Sequence, residues 1–563
     1  MEFKKIFANE IVLHLENLLS INEVEKLIEN PKYEQQGDMA FPCFSLAKLL
    51  KKAPNLIAID LASKINHPFI ENVVADGPYV NGFLNKEIVS KRILDTILSE
   101  GNHYGNHSIG MGKNVVIDFS SPNIAKPFSM GHLRSTVIGN SLSNIIEKCG
   151  FNIIKVNHLG DWGTQFGKLI VAYKLWGEEQ QVRNNPIKEL LHLYVKFHEE
   201  AENKPNLEDE ARYWFKKLED GDEEAKILWK WFRDESLKEF SKIYGLLDVE
   251  FDSYQGEAFY NDKMDKTIKH LYHQQLIKES EGADVIELKE FDLPPCLIRK
   301  SDGATLYATR DLTAAMFRQK EYQFEKALYV VGQEQSLHFK QVFLVLEKMG
   351  YSWSQGLEHV PFGFILKEGK KMSTRKGKVV LLEHVIKEAI ELAEENIKLK
   401  NPDLENKSEV AKMVGVGAII FHDLKNERQN NVEFSLEDML RFEGTTGPYV
   451  QYTHARATSI LRKGNDTNDF FNVLGLSDNH SWSVLKILME FPNVIERSFN
   501  LNEPSQISKY LLDVSQEFNT YYSRVKILAE DNEKQGRLAL VKSITIVLKE
   551  GLRLLGIKAP EKM

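Results

Sequence analysis

The sequence predicts an α/β protein in which a doubly wound, parallel-sheet domain follows a smaller α/β appendage and precedes an all-α helical bundle. Three observations support this fold class. Residues 115–156 read as strand, loop, helix and strand within about 40 residues, as in a βαβ crossover. Residues 1–100 mix helical and strand patterns of their own. From about residue 408 to the C-terminus, only helical periodicity is present.

The N-terminal appendage is predicted to contain helices followed by a strand or turn pair. Leu46, Leu49 and Leu50 recur at near-helical spacing, and Pro54 suits the first turn of a second helix. Residues 77–85 then favour a strand or a turn pair. Nothing in this region is typical of catalytic chemistry, so we predict a separable α/β unit.

A strand and a helix flank the first loop of the crossover. The apolar run from Val115 to Phe119 is rich in β-branched residues, and Pro122 and Pro127 bar its direct continuation. Beyond the loop, apolar residues recur every three or four positions, which predicts a helix that ends at Gly150. In a parallel sheet such a loop lies at the carboxyl edge, where ligands bind.

The loop carries groups that suit the phosphates of a nucleoside triphosphate. Gly131 permits close approach to the backbone, the helix N-terminus offers unpaired N–H groups, and Lys126 and His132 can donate hydrogen bonds. No Walker or GxGxxG pattern is present, so a plain βα turn is an open alternative. A basic run at residues 367–378, with six Lys or Arg, is a second phosphate-attracting feature. Such runs are also typical of solvated turns.

Residues from about 175 to 290 are strongly charged and helical in pattern. Their apolar side chains can cover one helix face while the opposite face is acidic. Because this region separates two halves of the nucleotide fold, we interpret it as an insertion. We interpret its apolar stripe as core rather than as a cofactor site. The stripe comprises Trp214, Phe215, Leu218, Leu228 and Trp231.

The C-terminal region is predicted to be wholly helical beyond a boundary at Asn401 and Pro402. Thr446 can cap a helix that carries Pro448 in its first turn. One face of that helix mixes aromatic and basic side chains, which suits unpaired bases, although tyrosines packed inside a bundle give the same pattern. The face carries Tyr449, Tyr452, Arg456, Ser459 and Lys463.

Composition excludes several classes of protein. A chain of 563 residues with 42% hydrophobic residues can build several real cores. No signal peptide and no long apolar run is present, which predicts a cytoplasmic protein without a membrane segment. Cys43, Cys149 and Cys296 are too widely spaced for a disulfide framework or a Cys-x-x-Cys zinc site. The net charge of −9 is uninformative about nucleic acid, because local basic faces decide such binding.

Several motifs in one order resemble those of arginyl-tRNA synthetases. SMGHLRS at residues 129–135 resembles the first signature of class I aminoacyl-tRNA synthetases, and KMSTR at 371–375 resembles the second. SSPNIAKP, NHLGDWGTQFG, LYATRDL and TTGPYVQYTHAR extend the resemblance over nearly the whole chain. Two positions depart from the pattern, because Ser129 stands where the family has His and Thr374 stands where it has Lys. Ser129 can donate one hydrogen bond but carries no positive charge.

The resemblance implies a Rossmann-like catalytic domain of the class I type with three further parts. It makes Lys48, Lys51 and Lys52 candidate contacts to the tRNA backbone, although ordinary solvated lysines are an equal alternative. The predicted boundaries are 1–105 for the tRNA-contacting N-terminal domain, 112–385 for the catalytic domain with its insertion at about 175–290, 386–445 for stem-contacting linker helices, and 446–563 for the α-helical anticodon-binding domain.

The resemblance also implies roles for individual residues. A guanidinium fork favours two carboxylates, and Asp311 with Asp118 can supply them, while Tyr307 lies one helical turn before Asp311. Stabilisation of phosphate charge is assigned to Lys126, Ser129, His132 and Lys371. ATP binding is assigned to Ser129, Gly131, His132, Gly332, Lys371, Met372 and Ser373. Arginine binding is assigned to Asp118, Asn123, His158, Trp162, Tyr307, Asp311 and Gln335. Binding of tRNA is assigned to Tyr449, Tyr452, Arg456, Tyr521 and Met563.

These assignments imply an ATP-dependent, AMP-forming ligase that joins L-arginine to tRNA(Arg). The arginine carboxylate attacks the α-phosphorus of ATP, pyrophosphate leaves, and the arginyl group passes to the terminal ribose of tRNA. Mg²⁺ is expected on the triphosphate, no protein-bound zinc is expected, and the chain is expected to act as a monomer. The resemblance implies that bound tRNA is needed for activation.

Two alternatives are open. A small-molecule nucleotidylyltransferase shares the two signatures but needs neither the N-terminal appendage nor the C-terminal helices. A non-catalytic tRNA-binding paralogue would show Ser129 and Thr374 as first signs of decay.

Overall fold

The structure is a computed structural model that describes residues 2–15, 18–126, 128–301, 303, 305–371, 380–464 and 476–563. Its N-terminal part packs five helices around an antiparallel sheet of order β1-β3-β2. The elements are α1 (Glu2–Val12), α2 (Ile21–Leu27), β1 (Met39–Pro42), α3 (Phe44–Leu50), α4 (Pro54–Ala62), β2 (Ile70–Asp76), β3 (Tyr79–Leu84) and α5 (Lys86–Glu100).

The predicted N-terminal helices are confirmed, and residues 77–85 form a turn followed by one strand, β3. Pro54 occupies the first turn of α4, where its missing N–H costs no intrahelical hydrogen bond. The expected apolar face of α3 is only partly a core face, since Leu46 is buried whereas Leu49 and Leu50 are exposed.

The middle of the chain alternates strands and helices around a larger sheet. Its first elements are β4 (Asn114–Asp118), α6 (Met130–Lys148), β5 (Asn152–Val156), α7 (Thr164–Trp176), α8 (Glu179–Asn184), α9 (Pro186–Asn203), α10 (Asn206–Glu219), α11 (Glu223–Leu247) and α12 (Met264–His273). Its later elements are β6 (Ile277–Ser280), β7 (Ala283–Ile286), β8 (Cys296–Arg299), α13 (Tyr307–Tyr322), β9 (Lys326–Tyr329), α14 (Ser336–Lys348) and β10 (Leu357–His359).

The predicted crossover is confirmed and forms half of a parallel sheet of order β10-β9-β4-β5. Gly139 lets α6 pack closely on the sheet, because a Cβ there would meet the ring of Phe119 at 2.2 Å. The apolar run that begins at Lys326 predicts a strand as far as Gly332, but β9 ends at Tyr329. The neighbouring strand β4 ends at Asp118, the residue that pairs with Tyr329, so no further ladder pair forms between the two strands. The carboxyl ends of β4, β5 and β9 therefore share one edge.

The insertion is helical only as far as α12. The prediction of helix to residue 290 is wrong for β6 and β7, which form an antiparallel hairpin joined to β8. Glu281 and Gly282, both with positive φ, make the two-residue turn that such a hairpin favours. The apolar stripe is confirmed as core: Leu218 is buried, and Trp214, Phe215, Leu228 and Trp231 pack partly buried against it.

The C-terminal part is a helical bundle, as predicted. Its elements are β11 (Ile365–Lys367), β12 (Lys370–Lys371), α15 (Leu382–Lys400), α16 (Lys407–Leu424), β13 (Val432–Glu433), α17 (Leu436–Met439), α18 (Gly447–Lys463), α19 (Asn479–Met489), α20 (Phe491–Leu501), α21 (Ser505–Arg524) and α22 (Lys534–Leu554). Thr446 caps α18, with Pro448 in its first turn. The short β13 departs from a wholly helical region because it pairs with β11.

Two buried ion pairs join α6 to this bundle. Arg134 Nε lies 3.0 Å from Asp423 Oδ2 on α16, and Lys148 Nζ lies 2.9 Å from Glu550 Oε1 on α22. The three cysteines are buried and free. Among the described residues, no helix is both long enough and apolar enough to cross a membrane.

Candidate active site

A cavity of about 360 Å³ lies at the carboxyl edge of β4 and β9, against the N-terminus of α6. Five of the predicted site residues lie at it, namely Asn123, Gly131, His132, Gly332 and Gln335. Its remaining lining residues are Ser120, Ser121, Arg134, Ser135, Val330, Val331, Glu334, Phe362, Gly363, Phe364 and Ile365. The structure thus brings residues from both halves of the sheet to one place, where a helix N-terminus offers free N–H groups.

His132 is held as a neutral hydrogen-bond donor. Its Nδ1 accepts the backbone N–H of Ser129 at 3.1 Å, which leaves the proton of a neutral ring on Nε2. Burial lowers the pKa of His132 to about 4, and the charge of Lys126 acts in the same direction. At neutral pH the ring therefore offers an N–H without a positive charge. The sequence alone did not indicate this protonation state.

The remaining charged candidates for phosphate binding are only partly described. Lys126 is exposed in the loop between β4 and α6. Lys371 belongs to β12 by its backbone. Its side chain lies outside the described residues, as do Met372, Ser373 and Thr374 of the second signature.

Arg134 is a cavity residue that the sequence reasoning missed. Its Nη1 donates to the carbonyl oxygen of Asn430 at 2.7 Å, and its guanidinium is paired with Asp423. The sequence does carry a signal for Arg134, since an arginine on an otherwise apolar helix face indicates a buried, paired charge. Its charge is balanced within the protein.

Asp311 lies near the cavity between two imidazole rings. His338 Nε2 is 2.6 Å from Oδ2, and His158 Nε2 is 3.9 Å from Oδ1. Burial raises the pKa of Asp311, but the hydrogen bond from His338, together with His158 and Arg318, outweighs burial and leaves that pKa below its usual value. Asp311 is therefore a carboxylate.

Asp118 already has a cationic partner in the protein. Arg318 Nη1 lies 2.7 Å from Asp118 Oδ2, and both side chains are buried. Arg318 Nη2 also lies 3.3 Å from His158 Nδ1. Because Arg only donates, His158 Nδ1 accepts, and the proton of its neutral ring lies on Nε2, toward Asp311. Sequence reasoning did not foresee Arg318, which enters from α13.

Glu257, in the insertion, is a second carboxyl group beside Asp311. Burial raises the pKa of Glu257 to about 7, an effect that Arg310 opposes and that the nearby Asp311 and Asp161 strengthen. Arg310 Nη1 is 3.9 Å from Glu257 Oε2, too far for a hydrogen bond. Glu257 therefore lies near other acids, with Arg310 as an ion-pair partner beyond hydrogen-bond distance. Nothing in the sequence around it distinguished this residue.

Tyr307 and Trp162 line a neighbouring cavity of about 450 Å³, together with Gln165 and Arg310. The Tyr307 side chain is exposed, whereas Asp311 faces the two imidazoles. The structure therefore does not direct Tyr307 and Asp311 into one pocket as the helical spacing predicted. Tyr307, in the first turn of α13, points outward, whereas Asp311, one turn later, lies at the sheet edge.

The face of α18 for which tRNA binding is predicted carries aromatic and basic side chains in contact with one another. The Arg456 guanidinium lies 4.8 Å from the ring centre of Tyr452 and 5.4 Å from that of Tyr522. Asn519 donates to the Tyr449 hydroxyl at 3.1 Å. Tyr521 is fully buried, so its ring cannot stack on a base in this structure, and the exposed neighbour is Tyr522. Met563 is partly buried, and its carbonyl oxygen accepts from Asn401.

The residues that the structure describes contain no group of three or more His, Cys, Asp or Glu side chains arranged to hold a metal ion.

Three family descriptions match successive parts of the chain. Residues 4–84 match "Arginyl tRNA synthetase N terminal domain", residues 93–436 match "tRNA synthetases class I (R), catalytic domain", and residues 450–563 match "DALR anticodon binding domain".

Whole-length relatives include arginine–tRNA ligase 2 of Bacillus anthracis, which is 62% identical over 564 residues and covers 100% of both chains. The arginine–tRNA ligase of Enterococcus faecalis is 59% identical, again over 100% of both chains.

Among solved structures, arginyl-tRNA synthetase from Plasmodium falciparum has a TM-score of 0.81 at 26% identity, covering 100% of this chain and 98% of its own. The Thermus thermophilus arginyl-tRNA synthetase has the same TM-score at 24% identity, covering 100% of both chains, and so supports the fold.

Proposed function

The chain belongs to the arginyl-tRNA synthetase family, and from that premise we propose how its residues divide the work of the reaction. It is an arginine–tRNA ligase that activates L-arginine with ATP and transfers it to tRNA(Arg). One observation carries the proposal: a helix-terminus cavity and two largely buried carboxyl groups lie toward the same edge of the sheet.

The guanidinium of arginine binds between Asp311 and Glu257. Asp311 is ionised and lies at the sheet edge, and burial, strengthened by the charge of Asp311, raises the pKa of Glu257 to about 7, so that Glu257 is partly protonated near neutral pH. A permanently charged guanidinium would ionise Glu257 and satisfy both acids at once. Asp118 is a weaker choice for the second carboxylate, because Arg318 already neutralises it. We therefore assign Asp118 the role of fixing Arg318, which in turn donates to His158.

The remaining arginine contacts lie at the rims of the two cavities. Asn123 and Gln335, which line the nucleotide cavity, suit the α-amino and carboxyl groups. The position of the Asn123 side chain requires glycine at residue 160, because a Cβ there would lie 2.3 Å from Asn123 Oδ1. Trp162 and Tyr307 close the outer side, while His158 supports Asp311.

ATP binds at the N-terminus of α6, with its adenosine toward Gly332. The arginine carboxylate attacks the α-phosphorus, and negative charge grows on the departing pyrophosphate. Ser129, the Gly131 backbone and the Nε2–H of His132 donate to phosphate oxygens as this happens. Lys126 adds charge, and we keep Lys371, Met372 and Ser373 in the same role. Mg²⁺ bound to the triphosphate would supply further neutralisation of its charge.

The outlying parts bind tRNA(Arg). Residues 1–105 approach the tRNA with Lys48, Lys51 and Lys52, 386–445 follow its stem, and 446–563 bind the anticodon. Tyr449, Tyr452 and Arg456 provide stacking and charge, Met563 lies nearby, and Tyr522 takes the role expected of Tyr521. The enzyme acts in the cytoplasm as a monomer.

Arginine-dependent exchange of pyrophosphate into ATP, measured with total tRNA, tests these assignments. Glu257→Gln should raise the KM for arginine about 10- to 100-fold and leave the KM for ATP within about twofold, because one charge-assisted contact to the guanidinium is lost. Glu325→Gln is a matched control at the opposite end of the sheet, where Glu325 pairs with Lys113. Equal KM values for arginine in the two variants would show that Glu257 does not contact the guanidinium.

A further inference from the structure

Asp311 is flanked by imidazoles that come from two different elements. His158 follows β5, and His338 lies in the first turn of α14. Only one of the two rings makes a hydrogen bond to Asp311, since His338 Nε2 is 2.6 Å from Oδ2 while His158 Nε2 is 3.9 Å from Oδ1. The carboxylate is thus held on one side and open on the other.

His158 cannot take over the holding role. Its Nδ1 already accepts from Arg318, whose guanidinium is fixed by Asp118. This chain of contacts sets the ring of His158 too far from Asp311 for a hydrogen bond. Its proton points at Oδ1 and leaves that oxygen available.

A bidentate guanidinium contact depends on the plane of the carboxylate. Two parallel N–H···O bonds require both oxygens to face the fork, and the terminal torsion of an aspartate is broad and roughly two-fold. A donor fixed on one lone pair of Oδ2 removes that freedom and leaves the other lone pairs for the ligand. The contact at 2.6 Å has the short length of a charge-assisted bond.

We propose that His338 is a positioning residue for arginine recognition: its imidazole donates to Asp311 Oδ2 and locks the carboxylate in the plane that a guanidinium requires. The inference rests on the proposed role of Asp311. It adds a residue that touches neither arginine nor ATP in the division of roles given above. It also explains why α14 begins beside the site, with Gln335 immediately before the helix and His338 in its first turn.

The stability of α14 does not depend on this ring. The helix is anchored by four buried side chains, Phe339, Val342, Val345 and Leu346. The His338 side chain is about three-quarters buried, with 25% exposed, and its hydrogen bond goes to Asp311. Loss of the imidazole should therefore alter recognition far more than folding.

Steady-state pyrophosphate exchange with total tRNA tests the inference through a split between KM and kcat. His338→Phe keeps the bulk of the ring but removes the donor, and should raise the KM for arginine about 10- to 100-fold, with kcat and the KM for ATP within about threefold. His338→Gln, whose amide can reach the same oxygen, should recover most of the loss. His270→Phe is the matched control, since it removes a partner of the Tyr351 hydroxyl elsewhere in the domain.

The outcomes separate the inference from its premise. If Asp311→Asn impairs arginine use but His338→Phe does not, His338 has no positioning role. If Asp311→Asn also leaves arginine use intact, the assignment of Asp311 itself is wrong. A His338→Phe variant with reduced kcat at unchanged arginine KM, or one that His338→Gln does not rescue, would equally overturn the inference.

Discussion

The two halves of the active site handle charge in opposite ways. At the nucleotide cavity, the N-terminus of α6 presents neutral donors, the backbone at Gly131 and the uncharged ring of His132. The one buried cation there, Arg134, is neutralised by Asp423. On the proposed arginine side, Asp311 and Glu257 lie near each other, and the Arg310 guanidinium approaches Glu257 only to 3.9 Å.

The difference matches the charges of the two substrates. The guanidinium of arginine is permanently charged and does not change during the reaction, so fixed carboxylates can recognise it throughout. The phosphate charge moves from ATP to departing pyrophosphate, and donors aimed at that change favour the transition state over the ground state. In the proposed division of roles, recognition of arginine therefore relies on fixed carboxylates, and oriented neutral donors act beside the charges of Lys126 and Lys371 on the phosphates.

The largest effect on kcat is expected from removing a neutral donor on the nucleotide side. His132→Phe should lower kcat for pyrophosphate exchange about 100- to 1000-fold, as loss of a preorganised donor does elsewhere. His132→Gln keeps an N–H and should recover part of this loss. Since the pKa of His132 is about 4, kcat should show no titration of this ring between about pH 6 and pH 8. A charged His132 would instead give a kcat that rises as the pH falls.

The buried charge on the nucleotide side should matter for folding. Asp423→Asn leaves Arg134 buried without its counter-charge, and should lower the free energy of unfolding by about 3 kcal/mol. Asp438→Asn removes a partner of exposed Arg441 and should change it by less than about 0.5 kcal/mol. Urea unfolding of both variants measures the difference. Equal stabilities would mean that Asp423 does not neutralise Arg134.

The arginine side should show a pH dependence that the nucleotide side lacks. The pKa of Glu257 is raised to about 7, so the free enzyme holds the acid protonated below that pH, whereas a guanidinium binds its ionised form. The KM for arginine should therefore fall as the pH rises, by up to about tenfold between about pH 6 and pH 8. Glu257→Gln should abolish this dependence. A wild-type arginine KM that is flat with pH would contradict the pairing of Glu257 with the substrate.

A rise in pH should lower the stability of the free enzyme through Glu257, although it favours the binding of arginine. The folded pKa of Glu257 lies above the ordinary value of 4.5, so folding favours the protonated form. The stability it contributes is complete below about pH 4.5 and is lost as the pH rises through about 7. Glu257→Gln should therefore stabilise the free enzyme relative to the wild type above pH 7.

The smallest effect is expected far from both halves. Tyr452→Ala should weaken tRNA binding about fivefold, because one exposed ring that is available to stack on a base is lost. Tyr521→Phe should leave the tRNA affinity unchanged, since its ring is buried. Filter binding at fixed salt gives both values. A larger loss of affinity in Tyr521→Phe than in Tyr452→Ala would show that tRNA does not bind the face that carries Tyr452.

Local signals in the sequence predicted some of this arrangement. The strand before Pro122 and the capping of α18 by Thr446 follow from neighbouring residues, and both are confirmed. The charge partners could not be predicted in this way. Arg318 reaches Asp118 from 200 positions away along the chain, and Glu257 reaches Asp311 from within the insertion. Such pairs depend on how distant elements pack.

Helical phase explains the remaining difference. Tyr521 and Tyr522 are adjacent in sequence, yet consecutive residues on a helix point about 100° apart, so one faces the bundle core and the other faces solvent. Spacing alone does not say which of two adjacent aromatics is exposed when both faces carry apolar residues.

The central claim is that Asp311 recognises the charge of the arginine guanidinium, and the most direct test compares arginine with citrulline, its neutral isostere. Pyrophosphate exchange with total tRNA gives kcat/KM for both amino acids in the wild type and in Asp311→Asn. The account predicts that Asp311→Asn lowers kcat/KM for arginine about 1000-fold and leaves that for citrulline unchanged or raised. A loss of less than about tenfold for arginine, or an equal loss for both amino acids, would contradict it.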